Sequence, residues 1–261
     1  MSVRSVARFA IVACVVVLGP LGCVFTGGQG GSGLLAPSVG ADLGEVATSN
    51  SALVAPTLDA TSFVPNIDNP YFPLAPGTVY SYREPTTVGI ETVELEVTRD
   101  TKMILGVATT VIRDRVFLDG SLVEDTFDWY AQDREGNVWY FGEDVKDYKD
   151  GVLIGTAGSW EAGKAGAIAG IIMKAHPKVG DKYRQELAPG VAEDMASVLS
   201  LDNAVSVPHG RFEQCLKTME FSPLAPGARA LKYYAPGVGL VLELTPRGGR
   251  NRVELIGVSR R

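Results

Sequence analysis

The stretch FDWYAQDREGNVWYFGED, residues 127 to 144, crowds aromatic rings and carboxylates into eighteen positions. Carboxylates brought together in an apolar setting can share a proton and act as an acid–base pair. They can also hold a hard cation such as calcium through oxygen ligands. The aromatics suit an apolar ligand, or a core. Which of these applies depends on which residues share a face.

Side-chain alternation along strands gives an expected arrangement. A three-residue hairpin loop, Arg134 to Gly136, sets Ala131 opposite Trp139, Tyr130 opposite Tyr140 and Trp129 opposite Phe141. Phe127, Trp129, Ala131, Trp139 and Phe141 then share one face, as core or ligand-binding side chains. Glu124, Asp128, Tyr130, Gln132 and Tyr140 share the other, in water.

Two-residue turns at Leu105-Gly106 and Asp119-Gly120 extend the pattern upstream. Glu96, Arg115 and Glu124 fall into a solvated row. On the opposite, apolar face Asp114 meets Asp125, with Glu143 diagonal to Asp125 and Arg99 diagonal to Asp114. Facing carboxylates repel, so they need an arginine, a cation or a proton. Arg99 as a structural counter-ion, a bound calcium, and a catalytic trio of Asp114, Asp125 and Glu143 all satisfy the pattern.

Other chemistry is poorly supported. Cys215 sits in a strand-like run six residues from His209, about 20 Å along an extended chain, too far for a thiol and its base. It is expected to be a buried structural thiol. His176 and His209 adjoin prolines and have no local partner. The GSWEAGKA run matches the glycine and lysine spacing of a phosphate loop, but Ala165 replaces the hydroxyl residue that would hold magnesium. DREGN reads as a hairpin turn rather than a calcium loop.

The elements that must position these residues come after a leader. Arg4 and Arg8 precede an apolar run from Phe9 to Gly19, too short to span a bilayer, so residues 1–22 read as a signal peptide. Cys23 follows LGPLG, as a lipidated cysteine follows its cleavage box, which makes a membrane a partner through a lipid anchor. Residues 23–62 then form a tether rich in Gly, Ala and Ser. Removing residues 1–22 takes away two arginines and no acid, moving the formal net charge from −6 to −8 and disfavouring nucleic acid as a partner.

Residues 63–261 suit a single domain. Period-two hydrophobicity with frequent turn residues marks an all-β fold: a single antiparallel meander forming a curved half-barrel or barrel-like sheet. The small-residue run 160–178 is expected as a short helix or a flap across one end.

NIDNPYFPLAPGT (66–78), EDTFDWYAQDREGNVWYFGED (124–144), GSWEAG (158–163) and KYYAPGVGLV (232–241) resemble a group of bacterial secreted proteins and lipoproteins of unassigned function. That resemblance implies a shared fold and supplies no catalytic residues. The YYAPGVGLVLEL end is also similar to envelope lipoproteins with curved sheets that carry lipids, a likeness of fold alone. Three readings follow. The chain is an envelope-tethered binder of a hydrophobic or amphipathic small ligand, a carboxylate-pair hydrolase of an envelope polymer or ester, or a surface recognition protein displaying Tyr130 and Tyr140.

Overall fold

The computed structural model describes residues 58–245 and 251–261. The leader, Cys23 and most of the tether lie outside the described residues. The first half of the domain supplies β1 (Phe63–Val64), β2 (Thr78–Pro85), β3 (Ile90–Ile104), β4 (Val107–Leu118), β5 (Ser121–Asp133), β6 (Val138–Asp144), β7 (Asp147–Lys149) and β8 (Val152–Gly155). The second supplies β9 (Trp160–Glu161), β10 (Ile168–Met173), β11 (Lys182–Arg184), β12 (Glu186–Leu187), β13 (Met195–Val207), β14 (Gly210–Phe221), β15 (Ala230–Ala235), β16 (Gly239–Leu244) and β17 (Arg252–Arg260).

These strands form one antiparallel sheet, nearly closed into a barrel with one unsealed seam. The long strands β13 to β17 and then β2 to β6 follow one another around the wall, with β17 paired to β2. The small-residue run forms no helix. It supplies β9 and β10, which pair with different parts of β6, and β10 also pairs with β12. Small side chains suit that place: an added Cβ on Gly170 would lie 2.4 Å from the Gln185 backbone.

The turns form where the dipeptides place them. Leu105 and Asp119 take positive φ ahead of Gly106 and Gly120, and Gly136 does so in the β5–β6 loop, as hairpin turns of these lengths require. The register beyond the turns differs from strict alternation. β4 and β5 start as expected, Leu118 opposite Ser121, but an extra residue in β5 then sets Val116 opposite Glu124 and Asp114 opposite Thr126. In β6 Phe141 is extra, so Trp129 faces Gly142 and Asp128 faces Glu143. One inserted residue exchanges the faces of everything beyond it. The irregularity between Val97 and Thr101 displaces β3 by two residues against β4 and leaves its faces unchanged.

The interior is therefore lined by Tyr80, Tyr82, Leu95, Val97, Ile112, Tyr130, Tyr140 and Leu255, all buried. One end is closed by the NPYFPL segment. Gln132 accepts from the Asp68 and Asn69 amides at 2.9 and 2.8 Å, and Asn69 donates to the Gly136 carbonyl at 2.8 Å. Gly237 donates its amide to Pro70 at 2.7 Å, and Phe72 packs edge-on against Tyr130. Three of the four motifs behind the family resemblance thus meet at this cap.

Gly142 holds the β6 bulge. Its φ is +131°, and an added Cβ would lie 2.2 Å from the Trp160 carbonyl oxygen. Gly142→Ala is expected to destabilise the domain by about 2–4 kcal/mol in urea unfolding, the range of a severe backbone clash. A loss below about 0.5 kcal/mol, within the ordinary surface range, would contradict the bulge.

Candidate functional site

The two bulges gather carboxylates inside the barrel. Asp114, Glu124, Asp128 and Glu143 are all buried, and Glu186 and Asp194, also buried, lie close enough to Glu143 to act on it. Burial, then Asp128, Glu124 and Asp125, hold the Asp114 carboxyl well above the usual range. Burial pushes Asp128 up to about 7, against a 2.7 Å hydrogen bond from the Tyr140 hydroxyl. Burial and the neighbouring acids likewise raise Glu143 and Glu186 well above the usual range. Adjacent desolvated carboxylates such as Asp128 and Glu143 titrate as a unit and retain protons near neutral pH.

Several polar atoms in this region are unmatched. Tyr130 stacks on Tyr140 with centroids 4.7 Å apart, yet its hydroxyl has no partner. Asp114 Oδ1 is likewise unmatched, and Trp160 Nε1 lies beside Glu186 without a well-shaped hydrogen bond. Neither oxygen of Glu186 forms a well-shaped hydrogen bond, although Asp194 and Trp160 adjoin it.

Further round the wall Lys232 lies 2.7 Å from Glu220 and 3.9 Å from Glu243, all three buried. Tyr234 and Thr218 also donate to Glu220, at 3.0 and 3.2 Å. Burial raises Glu243 to about 7 even beside this lysine.

A cleft of about 440 Å³ opens over the first cluster, within the span of small-molecule sites. Trp129 and Trp160 face it, Ala165, Ala167, Pro189 and Val191 supply apolar wall, and Glu143 borders it from inside. Lys102 lies over the Trp129 ring, 3.1 Å from its centroid, and both Lys102 and Lys164 reach Glu161 at 2.9 Å. The deeper apolar cavity, between Phe72, Tyr80, Tyr82 and Leu240, measures only about 30 Å³. That accommodates about one water and no acyl chain.

Several sequence expectations need correction. Asp114 and Asp125 do not meet, because the β5 bulge turns Asp125 to the outer face. There Arg113 grips it through two bonds of 2.8 Å. Arg99 is exposed and donates to the Arg261 carbonyl, so it does not neutralise Asp114. Phe127 lies outside between Arg113 and Lys146. Trp139 is also outside, bonded to Asp133 and packed on Phe63, and Phe141 is buried beneath the same Phe63 ring rather than in a ligand cavity. Trp129 borders the cleft, and Glu143 joins Asp128 instead of Asp125.

Tyr130 and Tyr140, expected on the surface, are fully buried. Among the described residues no group of three or more His, Cys, Asp or Glu side chains is placed to hold a metal ion, so the calcium reading finds no ligand set there. Cys215 is buried and unbridged as expected, and desolvation raises its thiol to about 11.

The fold and site define a class: a nearly closed antiparallel barrel with a carboxylate-rich interior and an amphipathic cleft in its wall. No family model and no curated protein matches the chain. Among solved structures it is similar to a candidate lipoprotein from Parabacteroides distasonis ATCC 8503, at 12% identity over 72% of this chain and 98% of that one, with a TM-score of 0.39.

Carboxyls raised in the fold bind protons more tightly folded than unfolded. Their stabilising effect is complete below the unfolded value near 4 and is lost as pH climbs through about 7. The melting temperature is therefore expected to fall between pH 5 and pH 8. Asp128→Asn keeps an acceptor for Tyr140 without the ionisation cost. It should raise stability at pH 8 by about 2–4 kcal/mol and flatten the slope. Thermal melts across this range check both, and a rising profile would contradict the assignment.

Proposed function

We propose that this protein is an envelope-tethered lipoprotein whose barrel holds a small amphipathic ligand in the cleft between Trp129 and Trp160. The observation that carries the binding reading is the cleft itself: ligand-sized and lined by Trp129, Trp160 and small apolar side chains, with Glu143 at its border. The small interior cavity directs the reading to the cleft rather than to a lipid enclosed in the barrel. The leader and Cys23 support the anchored location. The hydrolase reading is set aside because Asp125 is committed to Arg113 on the outer face.

Trp139 lies outside the cleft, so Trp139→Phe leaves the two cleft indoles as the only tryptophans. Octyl glucoside, titrated below its micelle concentration into that variant, is expected to shift and saturate its emission. Unchanged emission would overturn the cleft as the binding site. The anchor is tested by growing cells with labelled palmitate: the full chain should take up label and sediment with membranes, and Cys23→Ser should do neither. Equal labelling of both chains would remove Cys23 as the lipidation site.

A further inference from the structure

The rim of the cleft carries more positive charge than its acids offset. Lys102 of β3 and Lys164 of the loop after β9 both reach the same oxygen of Glu161, each at 2.9 Å. Against its burial these two lysines hold the Glu161 carboxyl below the usual range, so it is ionised, yet one carboxylate offsets only one ammonium. The other acids that line the cleft do not make up the difference. Asp144 takes Lys146 at 2.7 Å, and Glu143, buried opposite Asp128, keeps its proton. Among the described residues of the cleft the rim therefore has a cation in surplus, in a chain whose formal net charge is −6.

The two ammoniums are also held in place beside an apolar wall. Lys102 is fixed over the Trp129 ring, which it covers. Lys164 sits in a loop closed by backbone hydrogen bonds from Gly163 to Ala167, from Lys164 to Glu161 and from Ala167 to Lys164, at 2.9, 3.1 and 2.8 Å. The next residue, Ala165, takes a φ of +48°, which glycine would adopt at less cost, and adds its methyl group to the cleft lining. Each ammonium has three donors and gives one to Glu161, so donors remain on both where the apolar wall begins. A cationic head would be repelled at this rim. A head that is negative and accepts hydrogen bonds complements it.

We infer that the cleft takes an amphiphile with an anionic head, which bridges Lys102 and Lys164 while its apolar tail lies along Ala167, Pro189 and Val191. This rests on the cleft reading and adds the charge of the head group. Glu161 keeps its place between the lysines, and the head uses the donors that Glu161 leaves over. The Lys164 side chain is 70% exposed, so the head stays at the water boundary and escapes the desolvation cost of a buried ion.

Octanoate, octanol and octylammonium share one tail and differ in the head, and acetate has the anionic head without the tail. Titrated calorimetrically into the full chain at pH 7.5 and low salt, octanoate should bind at least about tenfold more tightly than any of the other three. Lys164→Gln alters an exposed side chain and should weaken octanoate about fivefold with octanol unchanged. Glu161→Gln keeps an acceptor for both lysines and removes the competing charge, so it should strengthen octanoate by a similar factor. Equal affinity for octanol and octanoate, or preference for octylammonium, would overturn the inference and leave the cleft reading standing. Octanoate binding that ignores both substitutions would overturn the assignment to the lysines, and acetate binding as tightly as octanoate would overturn the role of the tail. Binding of none of the four would remove both readings.

Discussion

Backbone alternation is the constraint from which the rest of this structure follows. A strand sends successive side chains to opposite faces, so the composition of the barrel interior is decided by how many residues lie between each turn and each pairing. One extra residue in β5 and another in β6 suffice to bring Glu124, Asp128, Tyr130, Tyr140 and Glu143 inside and to send Asp125, Phe127 and Trp139 out. The outer aromatics are then used as covers: Phe63 packs over Trp139 and Phe141, and cations sit against Phe127 and Trp129.

An interior with many carboxyls and a single lysine among its buried charges has few electrostatic options. Lys232 serves Glu220 fully and Glu243 at longer range, and breaking such a buried pair is costly because an uncompensated charge remains. Among the described residues no lysine or arginine pairs with Asp128, Glu143 or Glu186, so protonation is what keeps these three in a low-dielectric setting. The two clusters thus differ in how their charge is compensated, by a buried lysine in one and by protonation in the other. The Lys232 network contains a base, yet each cluster leaves carboxylate oxygen without a well-shaped hydrogen bond: Glu243 Oε2 in the first, both Glu186 oxygens in the second.

Much of the fold was legible in the sequence because turns are local. Leu105-Gly106, Asp119-Gly120 and Arg134 to Gly136 each form the loop their dipeptides indicate, and the long strands begin and end close to the turn residues. The site was less legible. Nothing in LVEDTF marks the extra residue of β5, since its apolar and acidic residues satisfy either parity equally well. Glu186 and Asp194 fall in short strands and turns with no clear alternation, so their burial had no signal. Glu220, Lys232 and Glu243 carried a misleading one: in TMEF, LKYYA and LELT each alternates with apolar neighbours and so reads as outward, whereas its strand turns it inward. Gly142, between Phe141 and Glu143, is the residue whose placement inside a strand pointed to a bulge.

The pairing of β17 with β2 also governs how the molecule comes into being. The wall closes only when Arg252–Arg260 lies alongside Thr78–Pro85, segments at opposite ends of the domain's sequence. Contacts of such long range place the chain among slow folders, on the order of milliseconds to seconds. Until β17 is in place, β2 and β16 each present an open sheet edge, the kind of surface on which chains pair with one another instead of with themselves.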